Sequence, residues 1–404
     1  MALTTTPQTV DQFNRLWAEI FDEREYISVP TVFQSLFGNS SNGGITYFSD
    51  SAEAVDIDII RANERTTALI PRGTVGRTLN NKTINQEKYT TFSRVFPLAE
   101  DTYDINSSQL SKRLAGENPY DGNQTRLDRC RALALKGAKE IVRRMIRLYE
   151  RLAAQSVIEG IQDAILDTSD TNLQYDFKRN SNLLITVSNT WDSGSQTIMA
   201  DIDGACDNLR QYGHITPDYM LIGGGALAAL LDDSDISTLA DNRRFGLINV
   251  DNLSSMPPRF ARLVAAGAEW RGTFKTAKGR TLYLFTYTDI YDNESGTATL
   301  YMPTDKAIIG SSTARFDRYF GPPDVLPVDT EVRNLYADYF GFSPDALPMP
   351  MNVKNPGGII TPEMFFFDAY KGKGNKSLTL RSQSAPIFAT TMTDATAVLS
   401  GLLT

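Results

Sequence analysis

The longest uninterrupted helical pattern in this sequence runs from residue 126 to residue 163 and contains no proline. Apolar residues recur along it at steps of three and four, which places them on one face of a helix. They are Leu127, Cys130, Ala134, Ala138, Ile141, Met145, Leu148 and Leu152. At ~1.5 Å per residue such a helix would exceed ~50 Å, more than the width of an average compact domain. The pattern therefore predicts a spine helix on which other elements pack.

The polar face of this spine helix is basic, although the 404-residue chain has a formal net charge of −8. Between residues 126 and 151, nine basic side chains stand against three acidic ones. Two interpretations stay open, namely a solvated face with i to i+4 ion pairs, or a surface turned toward nucleic acid or an acidic partner. The candidates for an inner, DNA-facing surface are Arg143, Arg144, Arg147 and Arg151.

Most enzyme signatures are absent from the sequence. The single histidine, His214, follows a glycine and precedes Ile-Thr-Pro, which is typical of a turn rather than of a catalytic base. Cys130 and Cys206 show no Cys-x-x-Cys spacing, so neither a disulfide framework nor a thiolate metal cluster is predicted. The sequence therefore indicates no catalytic residue, no metal site and no cofactor.

One glycine-rich turn keeps an enzymatic alternative open. An apolar strand is followed by Gly223, Gly224 and Gly225 and then by an apolar helix, which is formally a G-x-G-x-x-A pattern. In nucleotide-binding enzymes such a turn lets the backbone approach a pyrophosphate at the helix N-terminus. No regular βαβ succession surrounds the turn here, so a tight strand-to-helix connection is the favoured interpretation and a nucleotide-binding enzyme is the alternative.

The polar, turn-rich segment between Thr67 and Thr91 predicts a long β-excursion without a core of its own. The surrounding stretch alternates polar and apolar residues, as in the run from Ala54 to Ile59, and is rich in threonine, valine and turn residues. An excursion of this kind needs a partner to lie on. The basic residues in it and just before it are the candidates for contacts between subunits: Arg61, Arg65, Arg72, Arg77, Lys82 and Lys88.

The remainder of the chain reads as an α+β arrangement. The stretches 173–177 and 183–187 predict a hairpin. Residues 196–313 predict a helix at 196–212, a strand at 218–222, a helix at 225–232, a helix and turn up to 264, and then closing strands. Residues 377–383 predict a strand that returns to the spine helix. The longest apolar run, 222–231, is far shorter than the ~20 residues of a membrane span, and the N-terminus lacks a signal-peptide pattern, so a soluble protein made in the cytoplasm is expected.

Four blocks of sequence resemble, in matching order, the lambda-type major coat protein E family of tailed bacteriophages. The blocks are Pro217-Asp-Tyr-Met-Leu-Ile-Gly-Gly-Gly-Ala-Leu, Glu269-Trp-Arg-Gly-Thr-Phe, Tyr301-Met-Pro-Thr-Asp-Lys-Ala-Ile-Ile-Gly and Arg381-Ser-Gln-Ser-Ala-Pro-Ile387. The resemblance extends from about residue 32 to residue 388. It implies an α+β chain of the Hong Kong 97-type capsid fold, with an N-terminal arm, an extended β-loop, a peripheral domain and an axial domain.

The resemblance also implies the domain boundaries. They are an N-terminal arm with entry strands at 1–60, an extended loop at 61–100, a peripheral domain at 101–190 with the spine helix at 126–163, an axial domain at 191–315, and a return to the peripheral domain at 316–404. Within the last region, a Pro/Gly-rich insertion at about 324–362 looks longer than the usual connection of the family. An extra surface feature is therefore expected there.

The implied function is that of a major capsid protein rather than an enzyme. Copies would join into hexamers and pentamers of an icosahedral shell around double-stranded DNA, with a scaffold, a portal and a decoration or cement protein as partners and no membrane. Some relatives are cross-linked by an isopeptide bond between lysine and asparagine, and Lys82 beside Asn80 and Asn81 leaves that option open. A tail-tube subunit is a further alternative, disfavoured by the length of the spine helix.

Overall fold

The computed structural model describes residues 29–49, 53–61, 89–110, 126–164, 173–194, 197–233, 257–293, 296–324, 366–371 and 377–404. Its α-helices are α1 (Val32–Leu36), α2 (Arg126–Ile158), α3 (Ile198–Tyr212), α4 (Gly224–Asp232) and α5 (Ala261–Ala265). The strands of the first half are β1 (Thr46–Phe48), β2 (Ala54–Ile60), β3 (Tyr89–Val95), β4 (Ala99–Asn106), β5 (Ile161–Asp163), β6 (Gln174–Asp176) and β7 (Leu184–Thr186).

The strands of the second half are β8 (Tyr219–Ile222), β9 (Glu269–Lys275), β10 (Thr281–Thr286), β11 (Ile290–Asp292), β12 (Ala298–Leu300), β13 (Ala307–Gly310), β14 (Asp317–Phe320), β15 (Phe366–Lys371), β16 (Ser377–Ser384), β17 (Pro386–Ala389) and β18 (Thr396–Ser400). In the described residues the largest sheet has the order β7-β18-β13-β8-β10-β9. Two three-stranded sheets, β1-β14-β17 and β15-β16-β4, and three two-stranded pairs complete the set.

The spine helix predicted for residues 126–163 is present as α2, but it ends five residues early, at Ile158. The following Gly160 has φ +73°, a left-handed conformation that suits glycine and turns the chain into β5. The guanidinium of Arg179 donates to the last carbonyl oxygens of the helix, at 2.7 Å to Val157 and 3.0 Å to Ile158. The prediction that the helix continues to residue 163 was therefore wrong, because Gly160 and the side chain of Arg179 terminate the helix.

The apolar stripe predicted along α2 lies in the core. Ala134, Ala138, Ile141, Met145 and Leu152 are buried, and the buried face is wider than the stripe because elements pack on both of its flanks. The sheet β15-β16-β4 covers one part of it, and α1 and β17 cover others. The fold thus wraps a long helix whose two flanks as well as its apolar stripe are enclosed.

Close approach between α2 and β4 depends on one small residue. A Cβ added at Gly137 would overlap the ring of Tyr103 on β4. Helix and sheet therefore meet at a distance that only glycine permits at this position.

The six-stranded sheet confirms most of the elements predicted between residues 196 and 313. Strands β9 and β10 form a hairpin through a turn at Gly279, where φ is +79°, and β8 pairs with β10 in parallel and with β13 antiparallel. The boundary predicted at 315, however, does not close this sheet. Strand β18 lies between β13 and β7, so residues 396–400 complete a sheet that the prediction assigned to residues 191–315.

The hairpin predicted from residues 173–177 and 183–187 is wrong. Strand β6 pairs instead with β5, Ile161 facing Asp176, and β7 pairs in parallel with β18, Leu184 facing Val398. Two short β-patterns separated by a turn cannot reveal that each strand has a better partner elsewhere. Two further predicted features lie largely outside the described residues, namely residues 1–28 of the N-terminal arm and most of the insertion at 324–362.

Candidate assembly surface

Strands β2 and β3 form a two-stranded ribbon with two different faces. Ile57 and Ile59 are buried and pack in a cluster with Phe96, Tyr175 and Tyr319, which anchors the ribbon to the rest of the subunit. The opposite face carries Asp56 and Asp58, with Ser93 and Thr91 as their cross-strand neighbours. The alternation of β-strand side chains creates this polarity, since successive residues point to opposite faces. The ribbon thus holds the subunit with one face and presents the other.

A groove of about 430 Å³ runs beside this ribbon. Its walls include residues of β1 and β2, and both are edge strands of their sheets within the described part of the chain. Three large apolar side chains in the lining are unusually exposed, Ile45 at 43%, Tyr47 at 43% and Tyr89 at 42%. Exposed apolar side chains beside unpaired strand edges are the features of a surface that another chain covers.

The charge of the groove is acidic. Its charged lining residues are Asp56, Asp58, Asp317 and Arg315. Asp317 is fully buried and already satisfied, because it accepts from the backbone N of Ile45 at 2.7 Å and pairs with Arg315 at 3.1 Å. This ion pair raises the pKa of Arg315. Asp56 and Asp58 form no ion pair with any described residue, so they carry the uncompensated charge of the groove.

The predicted inter-subunit residues of the extended loop begin at the tip of the ribbon. Arg61 follows β2 directly and lines a second, polar groove with Lys178, Arg179 and Asp394. The other members of the set lie outside the described residues: Arg65, Arg72, Arg77, Lys82 and Lys88. Sequence analysis predicted the basic loop but not the acidic groove. Asp56 and Asp58, which alternate with apolar residues, were the available sign of that groove, but the alternation was used only to predict a strand.

The basic positions of α2 divide into exposed and engaged side chains. Arg143 is exposed, and Arg144 is 61% exposed with ion pairs to Glu140 at 3.2 Å and Asp101 at 3.6 Å. Arg147 is half-buried. Arg151 forms an ion pair with Asp163 at 2.9 Å, and that contact together with glutamine donors lowers the pKa of this aspartate against the opposing effect of burial. Of the four predicted arginines, Arg143 and Arg144 are therefore exposed, while Arg147 and Arg151 are only partly accessible.

A buried carboxylate that the sequence analysis did not single out joins the spine helix to the N-terminal region. Glu150 of α2 is fully buried and accepts from the backbone N of Phe33 at 2.7 Å and of Gln34 at 3.0 Å. It thereby satisfies free N–H groups of α1. Burial raises the pKa of Glu150 to about 8, despite these hydrogen bonds and one with Tyr287. The Tyr287 hydroxyl also donates to the Pro30 carbonyl at 3.2 Å, so this cluster fixes the point where residues 30–34 meet the core.

The glycine turn before α4 is filled by the protein itself. A Cβ at Gly223 would overlap the carbonyl oxygen of Pro303, and one at Gly225 would lie 2.6 Å from the Leu403 side chain. The backbone N of Ala226, at the start of the helix, donates to the Thr304 carbonyl at 2.8 Å. The space and the donor that a pyrophosphate would use are occupied, so the glycines serve the close packing of a strand-to-helix connection.

The geometry of the described residues also gives no support to a catalytic role of His214 or to a metal site. His214 is exposed, and its φ of +51° agrees with the turn predicted from its neighbouring residues. Among the described residues no group of three or more histidine, cysteine or carboxylate side chains is placed to hold a metal ion. None of the described helices combines the length and apolar character needed to cross a membrane.

Comparisons with known proteins agree with the geometry of an assembling subunit. The family model described as phage major capsid protein E matches residues 46–398. No curated protein matches the sequence. Among solved structures, a candidate capsid protein of a prophage from E. coli CFT073 is similar over 96% of this chain and 98% of its own, with a TM-score of 0.59 and 14% identity.

Two further solved structures are similar at lower scores. A phage-related protein from Bordetella bronchiseptica RB50 has a TM-score of 0.44 at 10% identity and covers 92% of each chain. The capsid of Ralstonia phage GP4 has a TM-score of 0.41 at 10% identity, covering 92% of this chain and 87% of its own. Of these three structures, the prophage protein alone has a TM-score above 0.5, and it shares the fold over nearly its whole length.

Proposed function

The chain belongs to the phage major capsid protein E family, and from that premise we propose how its surfaces build a shell. It is a shell-forming structural protein of the virion with the Hong Kong 97-type fold, and it is not an enzyme. The finer proposal is that copies join into hexamers and pentamers, and that the extended loop at 61–100 laps over the adjacent subunit. A peripheral domain and an axial domain form the body of each subunit, as the family resemblance implies, and the sheet of the axial domain includes residues 184–186 and 396–400 besides its strands between 191 and 315.

The single observation that supports this role of the loop is the structure of the ribbon at its base. One face of the ribbon is buried against the subunit through Ile57 and Ile59, while the other face is exposed. Neither strand pairs with a third strand among the described residues, and the outer edge of β2 is held at its end by the Ile60 N–H, which donates to the Thr391 carbonyl at 2.8 Å. A two-stranded ribbon alone is marginally stable in water. Burial by a neighbouring copy would complete what the isolated subunit lacks, so assembly supplies the missing contacts.

Deletion of residues 73–86 tests this function. We expect the deleted chain to remain a soluble monomer, because the ribbon anchor lies outside the deletion, but to form no closed shells. Arg77→Glu should act in the same direction, since it reverses a charge on the loop. Sedimentation and negative-stain electron microscopy of the full-length and deleted chains provide the measurement. Intact particles from the deleted chain would refute the lapping role.

The remaining partners follow from the same premise. We propose that the interior encloses double-stranded DNA through non-specific contacts with the exposed arginines of α2, and that a scaffold, a portal and a decoration or cement protein complete the particle. Synthesis takes place in the host cytoplasm. The DNA contact is supported by the exposed positions of Arg143 and Arg144 and the partly accessible position of Arg147. A phosphate backbone attracts such side chains without reading sequence.

A further inference from the structure

The acidic groove between β1 and β2 has a shape suited to an added strand. Both strands are edge strands in the described part of the chain, and on β2 the Ile60 N–H already donates to the Thr391 carbonyl at 2.8 Å. An extended segment lying in the groove could hydrogen-bond to β1 or to the part of β2 before Ile60. The rings of Tyr47 and the neighbouring Tyr319 lie beside this space with centroids 6.1 Å apart and their planes tilted by 55°. Backbone pairing would supply affinity, and the flanking side chains would supply specificity.

Charge decides which segment fits. Asp56 and Asp58 lie two residues apart on one strand face and lack a basic partner among the described residues. Residues 62–88 carry five basic and two acidic side chains, a net charge of +3. Residues 1–28 carry two basic and five acidic side chains, and residues 325–365 have the same balance, so each has a side-chain charge of −3. An acidic groove attracts the first segment and repels the other two.

Length allows the segment to reach another copy. At ~3.3 Å per residue, each half of a 27-residue excursion can extend about 40 Å from the tip of the ribbon. Ile60 and Tyr89, which flank the excursion, themselves line the end of the groove. The excursion therefore leaves the subunit at its own groove and can extend toward the groove of a neighbour.

We infer that the groove lined by Ile45, Tyr47, Asp56, Asp58 and Tyr319 is the receptor for the basic segment 62–88 of a second copy of this chain. This inference rests on the proposed function and deepens it, because it names the surface on which the loop lies. The loop adds an extended strand beside β1 and β2, and its arginines meet Asp56 and Asp58.

Cysteine cross-linking between two differently labelled copies tests the location. One chain carries Asp58→Cys and the other carries Arg77→Cys, both in a Cys130→Ser background. Oxidation of mixed particles should give a covalent dimer on non-reducing denaturing gels. The matched control replaces Asp58→Cys by Asp292→Cys, an exposed aspartate on the separate β11–β12 hairpin, and should give no dimer.

Three cross-linking results would overturn the inference. They are a dimer of equal yield with Asp292→Cys, a dimer with Arg15→Cys in place of Arg77→Cys, and an exclusively intrachain link when one chain carries both Asp58→Cys and Arg77→Cys. The second result would assign the groove to the N-terminal segment, and the third to the loop of the same chain.

Charge reversal separates this inference from the function on which it rests. Asp56→Lys with Asp58→Lys should reduce the particle yield by about tenfold or more, because like charges then face each other across the interface. Adding Arg72→Glu and Arg77→Glu should restore particles. If loop deletion abolishes shells but the reversed groove assembles normally, only the groove assignment fails. If loop deletion leaves shells intact, the proposed function fails.

Discussion

The core around α2 and the ribbon of β2 and β3 differ in whether their side chains find partners within one subunit. In the core, Glu150 is fully buried, and its carboxylate is met by backbone donors of α1. On the outer face of the ribbon, Asp56 and Asp58 meet no basic partner within the described residues, and Tyr89 on β3 and Tyr47 on the adjacent β1 remain over 40% exposed. The core is complete within one subunit, whereas the ribbon is built to be completed by another.

Substitutions in the two regions should therefore affect different properties, namely the stability of the subunit and the assembly of the shell. A change in the core should lower the free energy of unfolding of the subunit, because buried atoms lose contacts. A change on the ribbon should leave that free energy nearly constant and act on assembly, because the contacts it removes form only between subunits. The predictions below compare the two regions in order of decreasing effect on the subunit.

The largest effect is expected from Phe388→Ala. Phe388 on β17 is 1% exposed, and its ring centroid lies 5.3 Å from that of Phe37 and 5.8 Å from that of Tyr149. Removing the ring should lower the free energy of unfolding by about 3–5 kcal/mol. Urea unfolding of unassembled subunits measures this, with Tyr47→Ala as the control, which should cost less than about 0.5 kcal/mol. Equal losses in the two variants would contradict the distinction between core and ribbon.

A pH-dependent effect is expected from Glu150→Gln. Because the folded state holds the proton of Glu150 up to about pH 8 and the unfolded state releases it near 4.5, the unfolded state binds fewer protons in this window. The contribution of this group to stability is therefore complete below pH 4.5 and is lost as pH rises toward 8. The slope can reach about 1.4 kcal/mol per pH unit. Glu150→Gln should abolish it.

The matched control for this pH dependence is Glu140→Gln, at an exposed position of the same helix. That variant should retain the wild-type slope of stability against pH. Urea unfolding at several pH values between 4.5 and 8 compares the three proteins. A Glu150→Gln protein with the wild-type slope would show that this carboxyl group does not titrate within the window.

The smallest effect on the subunit is expected from replacing Arg143, Arg144 and Arg147 together by glutamine. Exposed ion pairs such as Arg144 with Glu140 contribute about 0–1 kcal/mol each, so unfolding should change little. Retention of full-length genome in packed heads should nevertheless fall, with Lys275→Gln as a control on the six-stranded sheet. Unchanged genome retention would favour the interpretation of a solvated helix face.

Local patterns predicted much of the fold and little of the candidate site. Apolar spacing predicted α2 and its buried stripe, both of which the structure contains. Strand partners were not predictable, because β7 and β18 are more than 200 residues apart and each has an ordinary local pattern. The acidic groove escaped notice for the same reason, since Tyr47, Asp58 and Tyr319 meet only in three dimensions.

The sequence by itself determined the long helix, the basic loop, the lack of catalytic groupings and the family resemblance, since each depends on residue types at short spacing. Tertiary structure alone decided where α2 ends, which strand closes the six-stranded sheet, and how the Gly223 turn is filled. Arg179, β18 and Thr304 act on residues distant in sequence. Such contacts arise from the packing of the whole chain, so no local pattern contains them.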